Sequence, residues 1–534
     1  MAPPPITPEQ LGQYGESSLV SETETADLKQ CSGSVKAALW TGYSARSIAV
    51  RLFLTCWILY ALHFTPYVYR ELYLSMSLAE KHSVHVDEYV DLHPDLFEIA
   101  GRGTYMGGNP GASILAAIPY ALLLPIVNRV APIHPTIQEA QAPRGQRFVY
   151  FKFLEKVRAR GLDRRIGGAA AITSCFFMAP LSALSVVMMF ALLLRFRFSM
   201  GHALGMALLY GFGTPIFFRT ATLSLNLLVA LLGLFAFGLL WWPSEQQPRF
   251  ERLRYWGAGV LAGWALLTDY SGVVTVSILG LFALALQLRS KSFWSALKGS
   301  LWFLAGALGP ILFLLYWQWY CYGNPWLPAQ FHQPKVYYMG YRTDRGFGWP
   351  MPRALWALLF DPLYGLLVFA PILAVALYQF VLLRRGTNRI PARVAAFAWM
   401  FFLALWLFCS CIEYTLRFQW MDGVRYMVPA VPFLFLLVAD ALNSFPRVLT
   451  YLAASAAIVE TWCLAIVREN PWGSITQVFS HGLSLPWLTA VSQAAPQYAR
   501  ALSSETLPVA LYVVCGLIIW GIWRRGRPSS PPAY

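Results

Sequence analysis

Runs of about 20 apolar residues, the length that crosses a bilayer core, return along this chain from Ser47 almost to its end. The clearest occupy 47 to 64, 169 to 194, 201 to 217, 224 to 242, 256 to 268, 273 to 288, 299 to 319, 363 to 383, 394 to 412, 428 to 442, 447 to 466 and 507 to 523. Lipid offers the backbone no hydrogen-bond partner, so such segments must close their own hydrogen bonds as helices. The expected fold is all-α: a polytopic integral membrane protein with about twelve transmembrane helices and juxtamembrane helices in a long first outer loop. Composition agrees, since 57% of the 534 residues are hydrophobic and 13% charged, against roughly 25% charged in an average soluble domain.

The net charge of +15 does not point to nucleic acid. The basic residues stand in short clusters at span ends rather than on one polar domain, as membrane topology requires. Cys56, Cys175, Cys409, Cys411, Cys463 and Cys515 lie inside apolar runs, which reads as small core residues rather than a disulfide framework. Residues 1–46 are rich in Pro, Ser, Thr and Glu and lack the plan of a cleaved signal. They are expected to form a disordered cytoplasmic tail ahead of a retained first span.

The segment Ala112 to Val130 is long and apolar enough to span, yet it holds Pro119 and Pro125. If it does not cross and the N-terminus is inside, the cytoplasmic loops collect Arg195, Arg197, Arg249, Arg252, Arg254, Arg289, Lys291, Lys298, Arg384, Arg385, Arg389, Arg393, Arg447, Arg524, Arg525 and Arg527. The outer loops then hold about half as many, the bias that topology follows. The segment is therefore read as a re-entrant or surface-lying helix pair. Arg144, Arg147, Lys152, Lys156, Arg158, Arg160, Arg164 and Arg165 then lie outside, in a loop longer than the about 60 residues to which the rule applies. The resulting plan is a tail at 1–46, a membrane domain at 47–523 with outer loops at 65–168, 320–362 and 467–506, and a cytoplasmic tail at 524–534. It places a multi-pass protein in a cell inner membrane with both termini cytoplasmic.

Carboxylates gather in the first outer loop: Glu71, Asp87, Glu88, Asp91, Asp95 and Glu98. Apolar positions 69, 72, 73, 76 and 79 predict an interfacial helix carrying Glu71 just beyond the first span; Glu71 can be a base there, or merely an acid in a first helical turn. The adjacent Asp87 and Glu88 can share base and orienting roles, or hold a divalent cation through oxygen ligands. A solvated acidic loop is the alternative. Gly101-Arg102-Gly103 and Gly107-Gly108-Asn109-Pro110-Gly111 suit either a turn cluster or backbone approach to an anion, with Arg102 as the fork for phosphate oxygens. Asp269 interrupts an apolar region, and Arg425 stands at the mouth of the following span. Each is a functional candidate or an interfacial anchor.

The order of these elements resembles the membrane glycosyltransferases of the C-type fold (GT-C), the superfamily of the family 39 protein O-mannosyltransferases and the lipid A aminoarabinose transferase, over nearly the whole chain after residue 47. The likeness rests on the acidic first loop, Asn109-Pro110-Gly111-Ala112-Ser113, Gly211-Phe212-Gly213-Thr214-Pro215, Ala262 to Gly272, Asp361 to Pro371 and Gly423 to Pro429. It implies inverting transfer of a sugar from a polyprenyl-phosphate donor on the outer face, with a first-loop carboxylate acting on the acceptor. Members carry an Asp-Glu pair just after the first span, where this chain reads Arg70-Glu71. Glu71, Asp87 and Glu88 are thus the catalytic candidates, and Arg102, Asn109, Asp269, Arg342, Arg345 and Arg425 the substrate-binding ones. Expected partners are the polyprenyl-phosphate sugar and the bilayer. A transporter or flippase of a lipid-linked glycan, and a non-catalytic protein of the same fold, are the rival readings.

Overall fold

A computed structural model describes residues 44–66, 68–133, 155–242, 248–289, 292–333, 347–416, 423–494, 502 and 506–524. The expected tail at 1–46 falls almost wholly outside them. The chain divides into two compact units, Met1–Arg51 with Ile518–Tyr534, and Leu52–Leu517. In the first, Arg51 Nε donates to the carbonyl of Ile522 at 3.1 Å.

Seven described helices are long and apolar enough to cross a membrane by length and composition: α1 (Ala45–Leu62), α3 (Gly111–Val130), α4 (Asp163–Arg195), α9 (Phe293–Tyr322), α10 (Ala392–Ser410), α12 (Arg447–Val467) and α14 (Thr506–Arg524). Shorter apolar helices join them: α5 (Met200–Phe212), α6 (Leu225–Trp241), α8 (Gly272–Leu288) and α11 (Val428–Ser444). Helix α7 (Pro248–Thr268) precedes α8 and carries Glu251, Arg252 and Arg254 in its first turns. The protein is a mostly helical, polytopic membrane protein.

Burial separates the helices by role. In α6 every residue from Leu225 to Gly238 is buried, so it is wrapped on all sides by protein. Along α9, by contrast, Leu301, Leu304, Leu308, Leu312, Tyr316 and Trp319 are all exposed. They recur at helical spacing and form a stripe fit for lipid chains. Helices α7 and α9 approach so closely that a Cβ at Gly259 would stand 1.9 Å from the carbonyl oxygen of Phe303, and one at Gly306 2.0 Å from that of Trp256. Small residues allow that approach, and dispersion between the backbones then holds the pair in a medium with no hydrophobic drive between helices.

The segment after α1 departs from an all-α fold. Helix α2 (Arg70–Lys81) forms where the spacing predicted it, but its apolar side meets protein rather than lipid: Leu72, Tyr73, Leu74 and Met76 are buried. A hairpin then pairs β1 (Leu96–Ile99) antiparallel with β2 (Gly103–Met106), Phe97 opposite Tyr105. Gly101 and Gly103 take φ of +70° and +105° in its turn, conformations open to glycine. Helix prediction missed it because each strand is only four residues long, too short for a period to register.

The expected helix pair over 112–130 is a single helix, α3, with Pro119 and Pro125 inside it. Its buried face carries Ala112, Ser113, Ala116 and Tyr120, while Ile118, Leu122, Ile126 and Val130 are exposed. Ser75 Oγ of α2 donates to the Ser113 carbonyl at 3.1 Å, and Ser113 Oγ donates back to the Glu71 carbonyl at 2.9 Å. Glu80 of α2 accepts from Tyr120 of α3 and, at 2.8 Å, from Arg165 of α4. These bonds fix the three helices under the site.

Candidate functional site

Arg70 opens α2, and Asp95 lies in the turn before β1. The hairpin folds back so that the two meet: Arg70 Nη1 donates to Asp95 Oδ2 at 2.6 Å while its Nε donates to Glu71 Oε1 at 2.8 Å. A single planar guanidinium thus bridges two carboxylates, the charge-assisted fork that Arg forms and Lys does not. Glu71 is 2% exposed on its side chain, Arg70 18% and Asp95 21%, so the ions are shielded from most water. Burial works against the guanidinium's charge, but Asp95 and Glu71 outweigh it and raise its pKa above the usual value. Burial likewise opposes ionisation of Asp95, and Arg70, His93 and Gln333 reverse this and hold its pKa below the ordinary carboxylate value.

The surround completes the unit. Gln333 Nε2 donates to Asp95 Oδ1 at 2.9 Å, and the Asp95 amide donates to His93 Nδ1 at 3.1 Å. Burial lowers the His93 pKa, with Asp95, Arg70, Glu71 and Arg425 also acting on the ring, so the imidazole is neutral near pH 7. A Cβ at Gly108 would lie 3.1 to 3.2 Å from three atoms of the Arg70 guanidinium, and one at Gly107 2.5 Å from the Phe97 ring. Gly107 and Gly108 therefore let the end of β2 pass flat over the ion bridge. They make room for a side chain, not for an anion.

Arg425 donates from Nε to Asn226 Oδ1 at 3.1 Å; Asn226 is fully buried at the start of α6. Neighbouring Tyr426 has its hydroxyl pKa pushed up by burial, and Arg425, Asp269 and Arg70 all act on it. Arg70, Glu71, His93, Asp95, Asp269 and Arg425 accordingly form one electrostatic neighbourhood. Within it Asp269 Oδ1 accepts from the Ser271 amide and hydroxyl at 2.9 and 2.6 Å, the bonds of an ordinary turn into α8.

The other candidates are engaged elsewhere. Asp87 Oδ1 accepts from the Thr104 amide at 3.0 Å and so pins the hairpin. Glu88 pairs with Lys81, both about half exposed. Arg102 Nη1 donates to the carbonyls of Trp319 and Tyr320 at 3.4 and 2.8 Å, at the end of α9 where unpaired carbonyls attract a cation. Asn109 Nδ2 donates to the Leu266 carbonyl at 2.8 Å and seats the start of α3 on the end of α7. Arg342 and Arg345 lie outside the described residues. Among the described residues no group of three or more His, Cys, Asp or Glu is placed to hold a metal ion, and Asp87 and Glu88 have the partners just named.

Sequence reasoning counted Asp95 among the six gathered acids but ranked it behind Glu71, Asp87 and Glu88, and it passed over His93, Gln333 and Asn226 as site residues. His93-Pro94-Asp95 is visible as a turn, but nothing in its spacing says that it closes on residue 70.

No family model matches the chain, and no curated protein matches it. Among solved structures it is similar to the crystal structure of ArnT from Cupriavidus metallidurans bound to undecaprenyl phosphate, with 15% identity over 92% of this chain and 79% of that one and a TM-score of 0.48.

Proposed function

We propose that the protein is a membrane glycosyltransferase that moves a sugar from a polyprenyl-phosphate donor to an acceptor on the outer face of the membrane. The observation that carries this reading is Glu71. It is a buried carboxylate on the short helix that follows the first apolar span, with one oxygen held by Arg70. Among the described residues no other group donates to its carboxylate.

In the proposed reaction the Glu71 carboxylate takes the proton of the acceptor hydroxyl, and the freed oxygen pair forms a bond to the anomeric carbon. The bond from that carbon to the phosphate oxygen breaks on the opposite face, its electrons leaving with the polyprenyl phosphate. Configuration is therefore inverted. The phosphate is already a good leaving group, so the protein's share is positive charge near the breaking bond, supplied by Arg425 with Arg342 and Arg345 as further candidates. Trp326 and Trp349 are exposed and offer ring faces on which a sugar can stack. The same reading keeps about twelve spans, cytoplasmic termini, and α3 on the outer surface.

Glu71→Gln removes the base with little change of shape. Sugar transfer from a polyprenyl-phosphate donor in proteoliposomes should fall at least about 100-fold, with folding unchanged by size exclusion. Full activity in that variant rejects Glu71 as the base.

One observation favours a transporter instead. Glu460 is buried within α12, and among the described residues its Oε1 has no hydrogen-bond partner; an ionisable group at that depth is a functional candidate. Movement of a labelled lipid-linked sugar across proteoliposomes without covalent transfer, lost in Glu460→Gln, would establish this reading over the first.

A further inference from the structure

The two carboxylates on Arg70 are not equivalent. Asp95 spends Oδ2 on Arg70 and Oδ1 on Gln333, and its backbone amide ties it to His93. Glu71 spends Oε1 alone. One group is held at both oxygens, and the other keeps an oxygen with which to take a proton. Gly108, by lacking a Cβ, leaves room for the guanidinium that links them. The Glu71 backbone is fixed from below by Ser75 Oγ and Ser113 Oγ, both 2.9 Å from its carbonyl oxygen.

We infer that Arg70 and Asp95 are positioning residues that act with Glu71 as one unit, Asp95 orienting the guanidinium so that it presents the Glu71 carboxylate to the acceptor hydroxyl. This rests on the functional reading above and deepens it. The fork sets the direction of the Glu71 carboxylate, since a side chain bonded through one oxygen to a rigid plane loses its freedom about the last torsion. Asp95 stays ionised throughout, and the proton taken from the acceptor resides on Glu71. Without Asp95, Arg70 has one anchor fewer, and Glu71 samples directions in which its oxygen misses the hydroxyl. The loss falls on turnover rather than on donor affinity, because neither positioning residue touches the donor.

The unit is tested in the full-length protein by Asp95→Asn, Arg70→Met, Arg70→Lys and the double variant, with exposed Glu98→Gln as control. Each is assayed for transfer from a polyprenyl-phosphate sugar and for thermal unfolding in detergent. We expect Asp95→Asn and Arg70→Met each to lower kcat on the order of 10- to 100-fold with donor KM within about threefold. The double variant should be no slower than the worse single one, because residues that act as a unit are not additive. Arg70→Lys should recover only part, having a point charge in place of a fork. Additive losses, or wild-type kcat in Asp95→Asn, would overturn the inference while leaving the transferase reading intact. Absence of transfer in the wild type sinks that reading and the presenting role with it. A coupled loss of thermal stability in the Arg70 and Asp95 variants would then still show the unit as a structural one.

Discussion

Position 70 shows how a single side chain can mislead when read in sequence. An arginine beside Glu71 looks like the loss of a carboxylate from the centre that the GT-C resemblance predicts. In three dimensions it gathers a second carboxylate, Asp95, from 25 residues downstream. The same ions make the segment after α1 sensitive to pH. Desolvation lowers the pKa of the partly buried His93 below 6.5, so the folded state binds its proton less readily than the unfolded chain. Its contribution to stability is complete above about 6.5 and is lost as pH falls from there toward the lower folded value. Asp95, with its pKa lowered, contributes fully above the unfolded carboxylate value near 3.9 and loses this only in stronger acid. Asp95, Arg70, Glu71 and Arg425 are the charges that act on His93. The midpoint of thermal unfolding should therefore fall over that interval in the wild type and fall less in His93→Gln, read by differential scanning fluorimetry in detergent.

At the scale of elements, glycine decides which helices can touch. Gly259 and Gly263 stand four apart on α7, and Gly306 answers them on α9. Because a Cβ at Gly259 or Gly306 would meet backbone rather than a movable side chain, Gly259→Val and Gly306→Val must push the helices apart. Each should cost on the order of 1–3 kcal/mol or more and lower the unfolding temperature by several degrees. Gly309→Ala, where nothing lies within 4 Å, should leave it unchanged. Elements were unevenly legible. Helix α2 could be read from its period, and the long apolar helices from their length. The hairpin could not, because four-residue strands carry almost no pattern. That α2 buries its apolar side in protein was also hidden, since the same moment suits a lipid surface or a protein one.

At the scale of the molecule, the open question in the sequence is which side each loop faces, and α3 governs it. If α3 lies on the outer surface, a cysteine at Glu98→Cys should react with a membrane-impermeant maleimide in intact cells, and one at Arg385→Cys only after permeabilisation. Both are placed in a chain whose eight native cysteines are replaced. Labelling of both sites in intact cells would mean that α3 crosses.

By itself the sequence determined that this is a multi-pass membrane protein, because apolar runs and scattered basic clusters are local properties and a bilayer acts on each of them separately. It also drew attention to the segment after the first span, where carboxylates gather in a chain that has few charges. Only the tertiary structure decided which of those acids stand together. Asp87 and Asp95 are alike in composition and setting along the chain, yet one pins the Thr104 amide and the other bridges to Glu71 through Arg70. The reason is that an ion bridge depends on separations of about 3 Å in space. Those separations are set by the turn of the hairpin and by Gly107 and Gly108 passing over Arg70, and spacing along the chain does not encode them.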